Sequence, residues 1–306
     1  MYSLLGPSEC VKSVRSWVRR SGGRGDGDLL ALKAEYNALL AELQGDAACT
    51  RSGRPEFVDD PVDEARLLAA FVEAPTENDI LAAITPEVVA ATIDARDPDF
   101  IGFTRAATIA AAQRLYDLDP DRGAVFGLIV NRLFCARLAH NLGGSTHRSV
   151  GAVWINLPES TPALDRVEFL MHELTHNLLF VDDRAHGHFA SAAAFSVREG
   201  GATSAIRRTP RPLYCVFHSL LVAVEIFALR AQVLGHPDAP VLHPASPKLL
   251  ADCIATAASI REIAGWQEMF TARGRHLFDL CQIFLAEQAR STRADRPPVA
   301  VALQAL

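Results

Sequence analysis

The stretch MHELTHNLLF, Met171 to Phe180, constrains this chain more than any other. His172 and His176 stand four positions apart, and on an α-helix such residues lie one turn apart on one face. A helix brings these two imidazoles together. They can then share one ion through ring nitrogens, with Glu173 turned aside by one residue step. In a chain of this composition an HExxH match arises by chance only ~0.02 times. The plain alternative is two histidines on a surface helix. Phe169, Leu170, Leu174, Leu178 and Leu179 argue against it, because they give the helix apolar faces to bury. Thr161 is the expected N-cap, with Pro162 at the first helical position. The helix is expected to run through Phe180 and stop near DDRAHGH.

The rest of the chain reads as mostly helical. Helical periodicity covers 28–44, 63–73, 76–94, 103–117 and 121–141, and returns at 213–234, 247–271 and 274–290. VGAVWINLP (Val150 to Pro158) is the best strand, β-prone and bounded by turn signals. Residues 19–28 and 51–63 have linker composition, 195–212 reads as loop, and the tail after 290 as loose. The expected fold is α+β and predominantly helical, with a metal helix beside a small sheet, and not a cupin. A helical region, 1–140, would precede a metal-binding catalytic region, 141–306, within one compact unit.

With 49% apolar residues in 306, a sizeable core is available. A net charge of -6 argues against a nucleic-acid partner. Basic residues do gather in VRSWVRRSGGRG (Val14 to Gly25), read as a solvated, flexible tail. Six cysteines without a CxxC pair suggest thiols in a reducing compartment. No signal peptide is visible, and the apolar run LLVAVEIFAL contains Glu225 and is too short to span a bilayer. A cytoplasmic protein with no membrane partner is the expectation.

Two histidines need at least one more protein ligand. His186, His188, Glu199, His218 and Glu225 are the candidates. His186 and His188 read more simply as loop histidines. His218 lies in the apolar helix YCVFHSLLVAVEIF and needs a partner there, whether a carbonyl, a carboxylate or a metal. Glu225 falls on the same face two turns on, as a third ligand or as an acceptor orienting a ligand histidine. The extended peptidase form HExxHxxGxxH is absent, since Leu179 and Asp182 stand at its last two fixed positions. Just before His218, Arg207, Arg208 and Arg211 gather near Pro210 and Pro212. Such guanidinium forks suit a carboxylate, although a solvated loop is the plainer reading.

The ordered set GGSTHRSVGAVWINLP, HELTHNLLF and SAIRRTPRPLYCVFHSLLV, spanning about 140 to 225, resembles the HExxH-type 2-oxoglutarate-dependent peptide β-hydroxylases of ribosomal-peptide (RiPP) clusters. The resemblance implies Fe(II) held by His172, His176 and His218. It implies 2-oxoglutarate gripped by Arg207 or Arg211 with Ser204, and hydroxylation of a side-chain β-carbon in a precursor peptide. Glu173 would then hold geometry rather than act as a base. The AVWINLP strand, if it forms an exposed edge, could receive an extended peptide; as a plain structural strand it would bury Trp154. The leading alternative is a Zn(II) peptidase with Glu173 as general base. A third reading is a peptide-binding protein with a degenerate metal helix.

Overall fold

A computed structural model describes residues 1–45, 49–50, 52, 54–71, 85–138, 141–196 and 201–294. It is predominantly helical with a small mixed four-stranded sheet. In chain order the elements are α1 (Tyr2–Leu5), α2 (Pro7–Arg20), α3 (Leu29–Gln44), β1 (Glu56–Phe57), α4 (Pro61–Ala69), α5 (Pro86–Asp94), α6 (Pro98–Leu118), α7 (Pro120–Ile129), β2 (Arg132–Cys135), β3 (Gly143–Gly144), β4 (Ala152–Ile155), α8 (Ala163–His186), α9 (Leu213–Leu229), α10 (Ser246–Glu262), α11 (Trp266–Met269) and α12 (Ala272–Ala294).

Helices α8 and α9 pack together at the centre, and α9 is almost wholly apolar and buried. With the π-helical turn Arg230–Leu234 that follows, α9 is long and apolar enough to cross a membrane, contrary to the reading of its apolar run as too short. Yet 83% of its most apolar window lies inside the protein, which is how a core helix is placed. One continuous apolar cluster reaches from Val14 and Leu40 through Leu174 and Val222 to Leu285.

The basic stretch from Val14 is not a solvated tail. It supplies the second half of α2, whose Val14, Trp17 and Val18 are buried while Arg19 and Arg20 stay at the surface. The helix packs on α8, and Arg20 donates to the Ala185 carbonyl at 2.5 Å. An amphipathic stripe was available in the sequence, but its arginines obscured it.

Helix α7 stops at Ile129, not at 141. Arg132–Cys135 becomes β2, pairing in parallel with β1 and β4. An apolar run this short fits helix or strand by period, and burial between two strands decides it. Helices α6 and α7 begin with Asp-Pro pairs, Asp97 and Asp119 capping the first free N–H groups and Pro98 and Pro120 following. Hence α6 starts at 98 rather than 103. The first half of the expected helix over 76–94, residues 76–84, lies outside the described residues, and the second half is α5.

Strand order is β1-β2-β4-β3, so β4 is an inner strand with a partner on each side. It is not an edge open to an added peptide. Trp154 is buried in it, donating its indole N–H to the Ala136 carbonyl at 2.8 Å and meeting Phe71 edge-on. Gly143 in β3, at φ +119°, allows the close approach to β4, because a Cβ there would strike the Trp154 carbonyl. All six cysteines are free thiols, and Cys215 is only half-buried.

Candidate metal centre

Helix α8 runs on to His186, one and a half turns past Phe180, and begins after Pro162 without a side-chain cap; Thr161 lies outside it. Its residues are buried nearly all round, except for one stripe. His172, His176 and Phe180 are half-buried along a single face. The rings of His172 and His176 have centroids 5.0 Å apart. Across from them, α9 presents Tyr214 and His218, also half-buried and one turn apart. His218 stacks on His176 with centroids 5.9 Å apart, and Phe180 lies against both, at 6.1 Å from His176 and 5.6 Å from His218.

The electrostatics favour neutral rings. Desolvation lowers the pKa of His172, His176 and His218, that of His176 to about 4. Neighbouring histidines add to the effect on His172 and His218. A neutral imidazole keeps the lone pair that a metal needs.

Glu173 is buried beside this stripe. One carboxylate oxygen, Oε1, lies 3.9 Å from His172 Nε2, and the other, Oε2, has no hydrogen-bond partner. Burial pushes its pKa up to about 8, although a hydrogen bond from Ser145 pulls the other way. Asn177 locks this corner, donating to the Ser145 hydroxyl at 2.9 Å and accepting from the Gly151 N–H at 2.7 Å. The GGST segment therefore meets the motif helix through Glu173.

The remaining candidates separate by place. Glu225 is buried but committed elsewhere: it accepts from the Met1 ammonium and from the Ser3 and Leu4 N–H groups. The structure does not bring it to His172 and His176. His188 is a core histidine, bonded through Nε2 to Asp182 at 2.8 Å, and His186 is exposed in the last turn of α8. Glu199 lies outside the described residues.

The arginine loop is a tight hairpin. Ser204 N–H donates to the Thr209 carbonyl and Arg211 N–H to that of Ala202, each at 3.1 Å. Arg208, at φ 57°, is a left-handed non-glycine residue. That turn separates the two adjacent arginines. Arg208 reaches out to Asp252 at 3.2 Å, while the charge of Arg207 acts on His172 and disfavours its protonation. Ser204 is buried; its hydroxyl lies 2.7 Å from that of Ser219 and accepts from the Arg207 N–H. It thus ties the arginine loop to the residue after His218. Arg211 is half-buried at the far end of the hairpin.

Two residues that sequence reasoning passed over complete the site. His243, from the loop before α10, places Nε2 3.0 Å from His172 Nδ1. Its Nδ1 lies 3.1 Å from Glu168, which Arg230 grips through two nitrogens at 2.6 and 2.7 Å. Glu168 was detectable in principle, since it stands four residues before His172 on the same helical face. His243 had no spacing to mark it.

Among the described residues, no three His, Cys, Asp or Glu side chains are gathered tightly enough to form a complete ligand set. The donor chemistry nonetheless suits a borderline divalent ion: neutral imidazoles from two packed helices, with a buried carboxylate alongside. A cleft of ≈ 520 Å³ between β1, α6 and α7 lies apart from this centre, lined by Phe57, Arg105, Tyr116 and Leu133 among others. In comparison with known proteins, no family model and no curated protein matches the chain.

Proposed function

We propose that the protein is an Fe(II)- and 2-oxoglutarate-dependent oxygenase that hydroxylates a side-chain β-carbon of a ribosomally made precursor peptide. The observation that carries this reading is the placement of the arginine loop. Ser204 pins it to Ser219, next to His218, and the Arg207 charge adds, after burial and the neighbouring histidines, to the lowering of the His172 pKa. A co-substrate carrying two carboxylates would need a cation near the metal, and this loop carries Arg207.

In this reading His172, His176 and His218 would hold the ion. Bound Fe(II) with 2-oxoglutarate supplies the oxidising chemistry, which no protein side chain can. Arg207 binds the co-substrate's distal carboxylate. Ser204 positions that loop rather than touching the co-substrate, because its hydroxyl is already engaged. Phe180 covers His176 and His218 and keeps water from that side. Glu173 accepts a hydrogen bond from Ser145 and leaves Oε2 to fix the geometry at the ligand helix.

The Zn(II) peptidase reading keeps one specific support, that same unpartnered Oε2. A general base needs a carboxylate oxygen to take a proton from the attacking water. The two readings separate on one preparation. Apoprotein loaded anaerobically with Fe(II) and then 2-oxoglutarate should develop a visible metal-to-ligand charge-transfer band. Glu173→Gln should keep that band and some hydroxylation. No band, tight zinc and peptide cleavage lost in Glu173→Gln would hand the site to hydrolysis.

Arg207 gives a second test. A hydrogen bond to a charged group contributes about 1.5–3 kcal/mol, so Arg207→Ala should weaken 2-oxoglutarate binding by roughly 10- to 100-fold in calorimetry. Arg208→Ala should leave it within about twofold, since its pair with Asp252 is a half-exposed surface contact. Equal effects would remove Arg207 from its role.

A further inference from the structure

We infer that His243 is a positioning residue that fixes the tautomer of His172, so that the His172 Nε2 lone pair faces the metal site. The inference rests on the metal reading above, and its first measurement does not depend on metal.

The argument begins at a buried ion pair. Arg230 and Glu168 are both buried, and the guanidinium meets both carboxylate oxygens. Burial alone would raise the Glu168 pKa, but its hydrogen bonds from His243 and Arg230 outweigh that and hold it lower than usual. An ionised carboxylate can only accept. The His243 Nδ1 lying 3.1 Å from it must therefore carry the hydrogen. In neutral His243 the other nitrogen, Nε2, is then an acceptor. It lies 3.0 Å from His172 Nδ1, which is then the donor as long as His243 is neutral. With its hydrogen on Nδ1, neutral His172 has its free lone pair on Nε2, the nitrogen nearest Glu173. With His243 neutral, the chain Arg230, Glu168, His243, His172 has one consistent set of hydrogen positions, and it prepares a metal donor; a doubly protonated His243 would instead donate to His172 Nδ1 and leave the His172 hydrogen on Nε2.

The loop bearing His243 is held for this purpose from two sides. Asp165, one turn before Glu168 on α8, accepts from the Val241 and Leu242 N–H groups at 2.8 and 2.9 Å. Arg230 donates to the Pro244 carbonyl at 2.6 Å. His243 itself is buried. A histidine serving only to fill space would need no such fastening on both flanks.

The test is long-range ¹H–¹⁵N correlation on metal-free, ¹⁵N-histidine-labelled protein, with His172 assigned from a His172→Gln spectrum. In the unaltered protein His172 should show a protonated Nδ1 and a bare Nε2. His243→Ala should lose that tautomer preference and weaken Co(II) binding by about 10- to 100-fold. His243→Gln should restore most of both, because its amide oxygen can accept from His172 while its nitrogen donates to Glu168. A His172 protonated at Nε2 in the unaltered protein would overturn the inference. So would a Gln variant that binds Co(II) as weakly as the Ala variant, since His243 would then be a ligand itself. Unaltered protein with the Nδ1–H tautomer but no Co(II) binding would support the relay and sink the metal reading.

Discussion

His176→Ala should abolish stoichiometric binding of Fe(II) or Co(II) while leaving a folded protein. His176 is the central ring of the cluster, in contact with His172 on one side and His218 on the other. If three imidazoles share a binding energy of roughly 10–16 kcal/mol, losing one costs on the order of 3–5 kcal/mol, or more than about 100-fold in affinity. The fold should tolerate the change because the ring is half-buried on an open stripe and stays neutral. His172→Ala and His218→Ala should behave alike. Glu225→Ala should leave metal affinity unaltered, because its carboxylate serves the N-terminal residues. Metal titration followed by a Co(II) visible spectrum measures all four. Full affinity in His218→Ala would remove the α9 ligand, and full affinity in His176→Ala would remove the metal centre altogether.

How much of this was legible in the sequence depends on the range of the interaction. The pairing of His172 with His176 follows from helical spacing alone. The facing of α9 against α8 does not, and His218 needed a partner without naming one. The arginine loop was visible as chemistry but not as geometry: a left-handed Arg208 shapes the turn that sends its own side chain to Asp252, and nothing in RR declares it. The β2 strand was misread because Arg132–Cys135 has no period of its own, and two flanking strands select its conformation. His243 was invisible for a similar reason. Its partners lie 71 and 75 positions away, reached through a loop that Asp165 and Arg230 tie down.

Asp182 carries the other large effect, on stability. It stands where an extended peptidase motif would have its third histidine, and it faces away from metal chemistry. It is fully buried and accepts four hydrogen bonds: from Ser13 at 2.6 Å, His188 at 2.8 Å, and Arg273 at 2.7 and 2.9 Å. It thereby joins α2, the segment after α8, and α12 to the motif helix. Replacing it by Asn removes the charge and points an N–H₂ group at donors. Breaking such a buried cluster by one partner costs about 3–5 kcal/mol, which urea unfolding would read as a large drop in midpoint at unchanged slope. The pH dependence gives a sharper signature. Burial alone would raise this carboxyl's pKa, but the bonds from His188, Arg273 and Ser13 overcome it and hold the group well below its ordinary 3.8. A depressed folded pKa means stabilisation that is full above the unfolded value and lost as pH falls through the folded one. The gap between the unaltered protein and Asp182→Asn should therefore narrow below about pH 4. Subtracting the variant cancels the carboxylates that do not touch Asp182, Glu168 and Glu225 among them, and histidines ordinarily titrate in a higher range, so the narrowing below about pH 4 reports Asp182 and not its partner His188. A gap that stays constant down to pH 3 would mean that the cluster contributes through packing and not through the ionised carboxylate.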